Sequence, residues 1–185
     1  LRCFNNFFRM RDIQMVDLKT QYERIRSEID NAIFSVINST AFIKGPGVKL
    51  FEEELQAYLG VKHVISCANG TDALQIAMMS LGLRPGDEVI TTNFTFIATV
   101  ETVALLGLKP VIVDPEPGNF NISVSEINKA ITPGTRAIVP VHLFGQCADM
   151  DGIMKLARKH DLLIIEDAAQ ATGTDYFFPG GIVKK

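Results

Sequence analysis

Five short apolar segments at regular spacing constrain the fold of this chain more than any other feature of its sequence. They are VKHVIS (61–66), DEVIT (87–91), KPVIV (109–113), RAIVP (136–140) and LLIIE (162–166). Their starts lie roughly 25 residues apart, with helical patterns between them, as in successive βαβ units. The sequence therefore predicts an α/β fold in which a mostly parallel sheet is flanked by helices, with right-handed crossovers.

Helical periodicity fills much of the remaining chain. Apolar residues recur at helical spacing over 20–38, and a second helix is predicted over 50–58, after a turn at 45–47. The helices predicted at 71–82 and 95–106 are apolar on nearly every side. We therefore expect these last two helices to be deeply packed.

Composition and charge argue against several kinds of partner. A net charge of -3 without a basic stripe gives no reason to expect nucleic acid, and the longest apolar runs are too short to span a membrane. The three cysteines are widely spaced and form no C-x-x-C pair, which fits a cytoplasmic protein better than a disulfide scaffold. Neither they nor the three scattered histidines form a metal-ligand cluster, so no metal is predicted.

The segment LLIIEDAAQ, at 162–170, places polar groups at the end of an apolar strand. Four apolar residues are followed at once by Glu166 and Asp167, and the amide of Gln170 comes soon after. In open α/β sheets, ligands bind outside the carboxyl ends of the strands. Asp167 and Gln170 are therefore candidate cofactor-binding residues.

A turn of small residues follows the first predicted strand, in the run SCANGTD at 66–72. Backbone N–H groups at Gly70, Thr71 and Asp72 can converge on a phosphate at a helix N-terminus, with the side chain of Asp72 turned away. An ordinary turn, in which Asp72 supports the helix N-terminus, explains the pattern about equally well. The run is neither a Walker loop nor a dinucleotide-binding fingerprint.

Two phenylalanines, Phe94 and Phe96, follow the second predicted strand. A ring at the carboxyl end of a strand can stack on a flat ligand, although core packing is the better explanation for one of the two. His142, after the fourth strand, is interpreted as a hydrogen-bonded structural residue.

Pyridoxal 5′-phosphate is the cofactor that fits a phosphate-binding turn, a stacking ring, a strand-end acid and an amide. The acid suits it because an aspartate keeps its ring nitrogen protonated.

Four motifs in order closely resemble the DegT/DnrJ/EryC1/StrS aminotransferase family. They are CANGTDALQIA (67–77), PGDEVITTNFTFIAT (85–99), ITPGTRAIVPVHLFGQCADM (131–150) and IIEDAAQATG (164–173). The resemblance implies a pyridoxal-phosphate-dependent sugar aminotransferase of aspartate-aminotransferase fold type I. Its expected substrates are a nucleotide-linked keto-sugar, such as a 3-keto-hexuronate, and an amino-acid donor, usually glutamate. Its expected role is surface-polysaccharide or related sugar biosynthesis.

The resemblance also assigns roles to single residues. It implies that the turn at 70–72 holds the cofactor phosphate and that Phe96 stacks on the pyridine ring. It further implies that Asp167 pairs with the ring nitrogen and that Gln170 approaches the phenolic oxygen. The loop at 42–47 resembles a segment that contacts substrate in this family.

The lysine that forms the Schiff base in this family is expected beyond Lys185. Residues 177–179 echo the S-F-F-P-S-K-N type of motif that carries it, but Gly180 and Gly181 follow where serine and lysine are expected. We therefore expect no catalytic residue of this kind within the chain. The chain is interpreted as the N-terminal portion of a longer homodimeric enzyme, inactive by itself.

Two alternatives stay open. One is a pyridoxal-phosphate-dependent sugar dehydratase of the same family, in which histidine replaces the lysine. The other is a non-catalytic regulatory protein that binds the cofactor.

For the domain organisation, residues 1–13 are expected to be a non-native or disordered extension and 14–60 a helical arm. Residues 61–185 are expected to form the cofactor-binding α/β domain, incomplete at its C-terminal end.

Overall fold

The computed structural model describes residues 15–184, which fall into two compact units divided between Phe51 and Glu52. The extension expected at 1–13 lies outside the described residues, and the remaining domain boundaries stay predictions. The helices are α1 (Leu18–Ser39), α2 (Pro46–Leu59), α3 (Gly70–Ser80), α4 (Ala98–Leu105), α5 (Val124–Ala130) and α6 (Met150–His160). The strands are β1 (Glu88–Thr92), β2 (Lys109–Val113), β3 (Thr135–Val139), β4 (Leu163–Ile164), β5 (Tyr176–Phe178) and β6 (Ile182–Lys184).

The second helix starts earlier than its sequence predicted. A turn was expected at 45–47, but α2 begins at Pro46, and the backbone N–H of Val48 donates to the carbonyl of Gly45. Proline suits the first position of a helix, because the N–H it lacks has no acceptor there. The predicted turn is therefore the helix start.

The four-stranded sheet is parallel throughout, in the order β2–β1–β3–β4. The central strand β1 is buried along its whole length, as expected for a strand covered on both faces. Alternate residues of β1 and β3 point to opposite faces of the sheet. The prediction of a mostly parallel sheet with flanking helices is confirmed.

Each face of this sheet carries its own apolar cluster. On one face, Ile90 and Ile138 pack with Ile127 of α5 and Ile153 of α6. On the other face, the neighbouring strand residues pack with α3 and α4, through Met78 and Val103. The two helix pairs thus form the outer layers of the second unit.

The expectation that α3 and α4 are deeply packed is wrong on their outer sides. Ile76 and Met79 of α3 and Leu105 of α4 expose half or more of their surface. A helix that lies on a sheet buries only the side facing it, and within the part of the chain described here no element covers the opposite side. Apolar composition alone did not reveal which side would be covered.

The strand predicted at 61–66 is absent from the described structure. It pairs with no strand, Ile65 is 82% exposed, and the N–H of Ser66 donates to Glu52 Oε1 at 2.9 Å. A strand is held by hydrogen bonds to a neighbouring strand, and no strand between residues 15 and 184 lies beside this segment. Val61 and Ile65 are therefore left in solvent, while Val64 is partly buried.

The last strand of the sheet is shorter than predicted, but its pairing reaches further. β4 covers only two residues, yet a parallel bridge joins Val141 and Asp167. The N–H of Asp167 donates to the carbonyl of Pro140, and the N–H of His142 donates to the carbonyl of Asp167. These bonds carry Asp167 to the carboxyl edge of the sheet.

The end of the described chain forms an antiparallel hairpin of β5 and β6. Its connection places Gly180 at φ 91° and Gly181 at φ 81°, a region that glycine enters without steric cost. Tyr176 and Phe178 pack against the cluster beside α6. None of the helices described between residues 15 and 184 is long and apolar enough to cross a membrane.

Candidate functional site

Asp167 presents a half-buried carboxylate at the carboxyl edge of the sheet. Its Oδ2 accepts a hydrogen bond from Thr99 Oγ1 at 2.8 Å, and its Oδ1 accepts one from the N–H of Ala169 at 3.3 Å. No lysine, arginine or histidine in the described part of the chain forms an ion pair with it. Two oxygens offer about four lone-pair positions, so the carboxylate can accept a further donor.

Thr99 links the acid to the ring expected to stack on a cofactor. The N–H of Thr99, in the first turn of α4, donates to the carbonyl of Phe96 at 3.2 Å, while its hydroxyl bonds to Asp167. The side chain of Phe96 is 72% exposed. The predicted aromatic and the predicted acid are therefore joined through one buried residue.

Phe94 does not pack in the core, contrary to the expectation that one of the two aromatics would. It is 45% exposed, and its ring lies 5.5 Å from that of Phe120 and 6.4 Å from that of Phe144, measured between centroids. The three rings follow the ends of different strands, and Phe94 contacts both of the others. The loops at this edge bring them together, which the spacing of Phe94 along the chain could not show.

Gln170 has a fixed amide orientation. Its Oε1 accepts a hydrogen bond at 2.9 Å from the N–H of Phe144, whose φ of 54° is unusual for a residue with a side chain. Because a backbone N–H can only donate, the oxygen of the amide faces Phe144 and its NH₂ group is left to donate elsewhere. Such a donor suits an acceptor such as a phenolic oxygen.

The turn at 66–72 opens α3 with a side-chain cap that the sequence analysis overlooked. Asn69 Oδ1 accepts from the N–H of Asp72 at 2.9 Å, and Asn69 Nδ2 donates to Asp72 Oδ2 at 3.1 Å. The side chain of Asp72 is thus turned to Asn69, and its N–H already has an acceptor. The N–H groups of Gly70 and Thr71 have no acceptor among the described residues, so they are the donors left for an anion.

The turn lines an open cleft of about 480 Å³ that runs along α3 and includes Ser66, Asp72 and Gln75. No hydrogen bond within residues 15–184 joins the turn to Asp167 or Gln170. It is connected to them through α3, which packs against α4. Hydrogen bonds thus join Phe96, Thr99 and Asp167 directly, whereas the turn predicted to bind phosphate is connected to them only through helix packing.

His142 is a structural residue, as its isolated position in the sequence suggested. It is 3% exposed; its Nδ1 accepts from the N–H of Ala148 at 3.1 Å, and its Nε2 lies 2.9 Å from Glu166 Oε2. Since Nδ1 accepts, Nε2 carries the proton and donates to Glu166. The imidazole thereby links Glu166, the residue before Asp167, to Ala148, which lies just before α6.

A second cavity, of about 350 Å³, lies beside His142 on the α6 side of the sheet. Burial raises the pKa of the Cys147 thiol in its wall, and the negative charge of Glu166 raises it further. A thiol with a raised pKa stays protonated at neutral pH and is a poor nucleophile. No group of three or more potential metal ligands occurs in the described residues.

The comparisons with known proteins agree with this architecture. Residues 23–177 match the profile of the DegT/DnrJ/EryC1/StrS aminotransferase family. The chain belongs to the DegT/DnrJ/EryC1/StrS aminotransferase family. It is 52% identical over 164 residues to the UDP-2-acetamido-2-deoxy-3-oxo-D-glucuronate aminotransferase of Pseudomonas aeruginosa, covering 89% of this chain and 46% of that protein.

Solved structures show the same fold. DesV of S. venezuelae, in complex with a ketimine intermediate, superposes with a TM-score of 0.85 at 45% identity, over 87% of this chain and 43% of that one. NtdA of Bacillus subtilis, with bound cofactor PMP, gives 0.81 at 39% identity, over 89% of this chain and 39% of that one. The fold is that of the type I pyridoxal-phosphate aminotransferases, and this chain spans less than half the length of these three relatives.

Pyridoxal 5′-phosphate is the cofactor of this family of aminotransferases, and the described residues fit its chemistry. The carboxylate of Asp167 has free lone pairs and no cationic partner there, as a protonated ring nitrogen requires. Gln170 offers an NH₂ donor, and the start of α3 offers two backbone N–H groups to a phosphate.

Proposed function

We propose that this chain forms the cofactor-binding part of an aminotransferase that moves an amino group from glutamate to a nucleotide-linked keto-sugar. Asp167 carries the proposal, because its half-buried carboxylate is oriented by Thr99 and no described cation neutralises it. Such a carboxylate at the carboxyl edge of a parallel sheet lies where α/β folds bind their ligands. It suits a cofactor with a basic ring nitrogen.

Pyridoxal phosphate, when bound, supplies a protonated ring that acts as an electron sink for carbanion chemistry. The role of Asp167 is to accept the N–H of that ring, since the negative carboxylate favours the protonated nitrogen. Phe96, largely exposed and just before α4, offers a ring face for stacking. The NH₂ group of Gln170, held by Phe144, donates to the phenolic oxygen.

The phosphate is assigned to the start of α3. The free N–H groups of Gly70 and Thr71 point from a helix N-terminus, where the dipole favours an anion. The N–H of Asp72 contributes only if it is shared with Asn69 Oδ1. Asn69 therefore fixes the turn, and Gly70 and Thr71 do most of the binding.

The substrate class is supported by the relatives. The P. aeruginosa relative is named for a UDP-linked 3-oxo-hexuronate, and this chain shares 52% of the aligned residues with it. We propose a nucleotide-linked keto-sugar of the same chemical class for this protein, in surface-polysaccharide or related sugar synthesis. A homodimer in the cytoplasm is part of the same proposal.

The test uses the longer protein that the family resemblance predicts, loaded with pyridoxal phosphate. With glutamate and a UDP-linked 3-keto-hexuronate, we expect formation of 2-oxoglutarate and an amino-sugar. Asp167→Asn should lower this turnover on the order of 100-fold or more, because it removes the charge that stabilises the protonated ring. Asp161→Asn, at the exposed end of α6, is the matched control and should keep full activity.

Two results would reject the proposal. Loss of water from the sugar without transfer of nitrogen would identify a dehydratase. Cofactor binding without any turnover, across glutamate and several nucleotide-linked keto-sugars, would identify a non-catalytic regulatory protein.

A further inference from the structure

Thr95 and Thr99 form a chain of two hydroxyl groups that ends on the carboxylate of Asp167. Thr95 Oγ1 lies 3.1 Å from Thr99 Oγ1, which in turn lies 2.8 Å from Asp167 Oδ2. Thr99 is only 1% exposed, so its hydroxyl has little access to water as an alternative partner.

Chemistry sets the direction of this chain. An ionised carboxylate only accepts hydrogen bonds, so the single proton of the Thr99 hydroxyl is donated to Asp167. The bond between the two threonines must then be donated by Thr95. Both donors point toward the acid, and in a chain of this kind each hydrogen bond polarises the next.

We propose that Thr99, supported by Thr95, is a positioning residue for the cofactor ring. Its hydroxyl holds the Asp167 carboxylate in the orientation in which the free lone pairs face the ring nitrogen. This inference rests on the proposed function, and it adds to that function a residue that does not itself touch the cofactor.

The backbone of Thr99 contributes to the same positioning. Its N–H donates to the carbonyl of Phe96 at 3.2 Å, at the start of α4. One buried residue therefore bonds both to the carboxylate that would accept the ring N–H and to the backbone of Phe96, whose side chain would stack on the ring.

The chain offers a matched control in the next turn of the same helix. Thr102 is 0% exposed, and its hydroxyl bonds only to the backbone carbonyls of Ala98 and Thr99 among the described residues. Replacing threonine by valine at 99 or 102 removes a buried hydroxyl at nearly constant volume. Only the change at 99 removes a bond to Asp167.

The experiment compares the wild type with Thr99→Val, Thr99→Ser and Thr102→Val in the longer protein. The probe is pyridoxamine 5′-phosphate labelled with ¹⁵N in its ring, which needs no lysine to bind. Its dissociation constant and the ¹⁵N chemical shift of the bound ring are measured at pH 7.5, together with the unfolding midpoint of each variant.

Thr99→Val should raise the dissociation constant about tenfold, as expected for losing one hydrogen bond to a charged group. It should also move the ¹⁵N resonance toward the position of the unprotonated ring. Thr99→Ser should restore both values, because it keeps the hydroxyl. Thr102→Val should leave both unchanged even though it lowers the unfolding midpoint.

Equal dissociation constants and equal ¹⁵N shifts for the two valine variants would overturn the role of Thr99 while leaving the proposed function intact. A wild type that fails to bind the probe would instead reject the proposed function, and the positioning role with it. The two failures are separated by the wild-type measurement alone.

Discussion

The side chain of His142 stabilises the end of the strand that bears Asp167. His142 bonds through its ring to Ala148 and Glu166, and through its backbone N–H to the carbonyl of Asp167. Since the ring is buried, removing it leaves the N–H of Ala148 without its acceptor and opens a void. His142 is therefore expected to stabilise the fold.

His142→Ala should lower the free energy of unfolding by about 3 kcal/mol, from the void and the lost hydrogen bonds. Urea unfolding at pH 7.5, followed by circular dichroism, measures the change. His63→Ala is the control, because His63 is exposed in the unpaired segment 61–66 and should change stability by less than about 0.5 kcal/mol. Equal effects of the two substitutions would contradict the role of His142.

The residues of the site were predictable to different degrees. Asp167 and Gln170 follow an uninterrupted apolar strand, a local pattern that predicts their position at the sheet edge. Thr99 was not identified, because its partner lies 68 positions away and no pattern around Thr99 points to it. Asn69 could have been found, since asparagine directly before a helix is a common N-cap.

At the scale of elements, the buried carboxylate of Glu88 accepts hydrogen bonds that join the amino ends of three strands. Glu88, the first residue of β1, accepts from Lys109 Nζ of β2 at 2.8 Å and from Thr135 Oγ1 of β3 at 3.4 Å. Thr132, in the loop before β3, also donates to it. The bond from the Lys109 ammonium, followed by that from Thr132, lowers the pKa of Glu88.

This lowered pKa gives a pH dependence with a definite sign. A carboxyl whose folded pKa lies below its unfolded value of about 4.3 stabilises the fold above that pH and loses this contribution as the pH falls through the folded pKa. Glu88→Gln should therefore be less stable than the wild type at pH 7. The difference should shrink below about pH 4.

Urea unfolding of both proteins at pH 7, 5, 4 and 3 measures the difference. Glu101→Gln serves as the control, because Glu101 lies exposed on α4 and should show no comparable trend. A difference between Glu88→Gln and wild type that stays constant from pH 7 to pH 3 would contradict the assigned pKa direction.

Some elements are marked by local signals in the sequence, whereas elements that depend on distant partners are not. The helix ending at His160 has a capping aspartate at 149 and basic residues in its last turn, all visible in sequence. The segment 61–66 has strand composition, but a strand also needs a neighbour, which the described chain does not supply. The burial of the outer sides of α3 and α4 was predicted wrongly for the same reason. Whether a helix side is buried depends on which distant element packs against it.

At the scale of the whole molecule, many large apolar side chains are left in solvent. Large side chains exposed by more than half include Ile43, Phe51, Ile65, Met79, Leu105 and Phe177. Exposed apolar side chains favour binding to other surfaces, and segment 61–66 pairs with no strand among the described residues. The surface composition therefore predicts association between chains.

The full chain should self-associate in solution, with a weight-average mass that rises with concentration in sedimentation velocity experiments. Ile65→Lys, which places a charge on the unpaired segment, should reduce this association without lowering the unfolding midpoint. His63→Lys adds the same charge at an exposed position without removing an apolar side chain, and should reduce it less. A monodisperse chain that melts cooperatively at all concentrations would contradict the prediction.

The bond between Thr99 and Asp167 also bears on when the cofactor site comes into being. It closes a loop of 68 positions, and the bond between Phe144 and Gln170 closes another of 26. Distant contacts of this kind form late in folding, because the entropy of loop closure is lost before they contribute. Since the proposed cofactor contacts of Asp167 and Gln170 depend on these distant partners, we expect a growing chain to bind pyridoxal phosphate only after residue 170 has been synthesised.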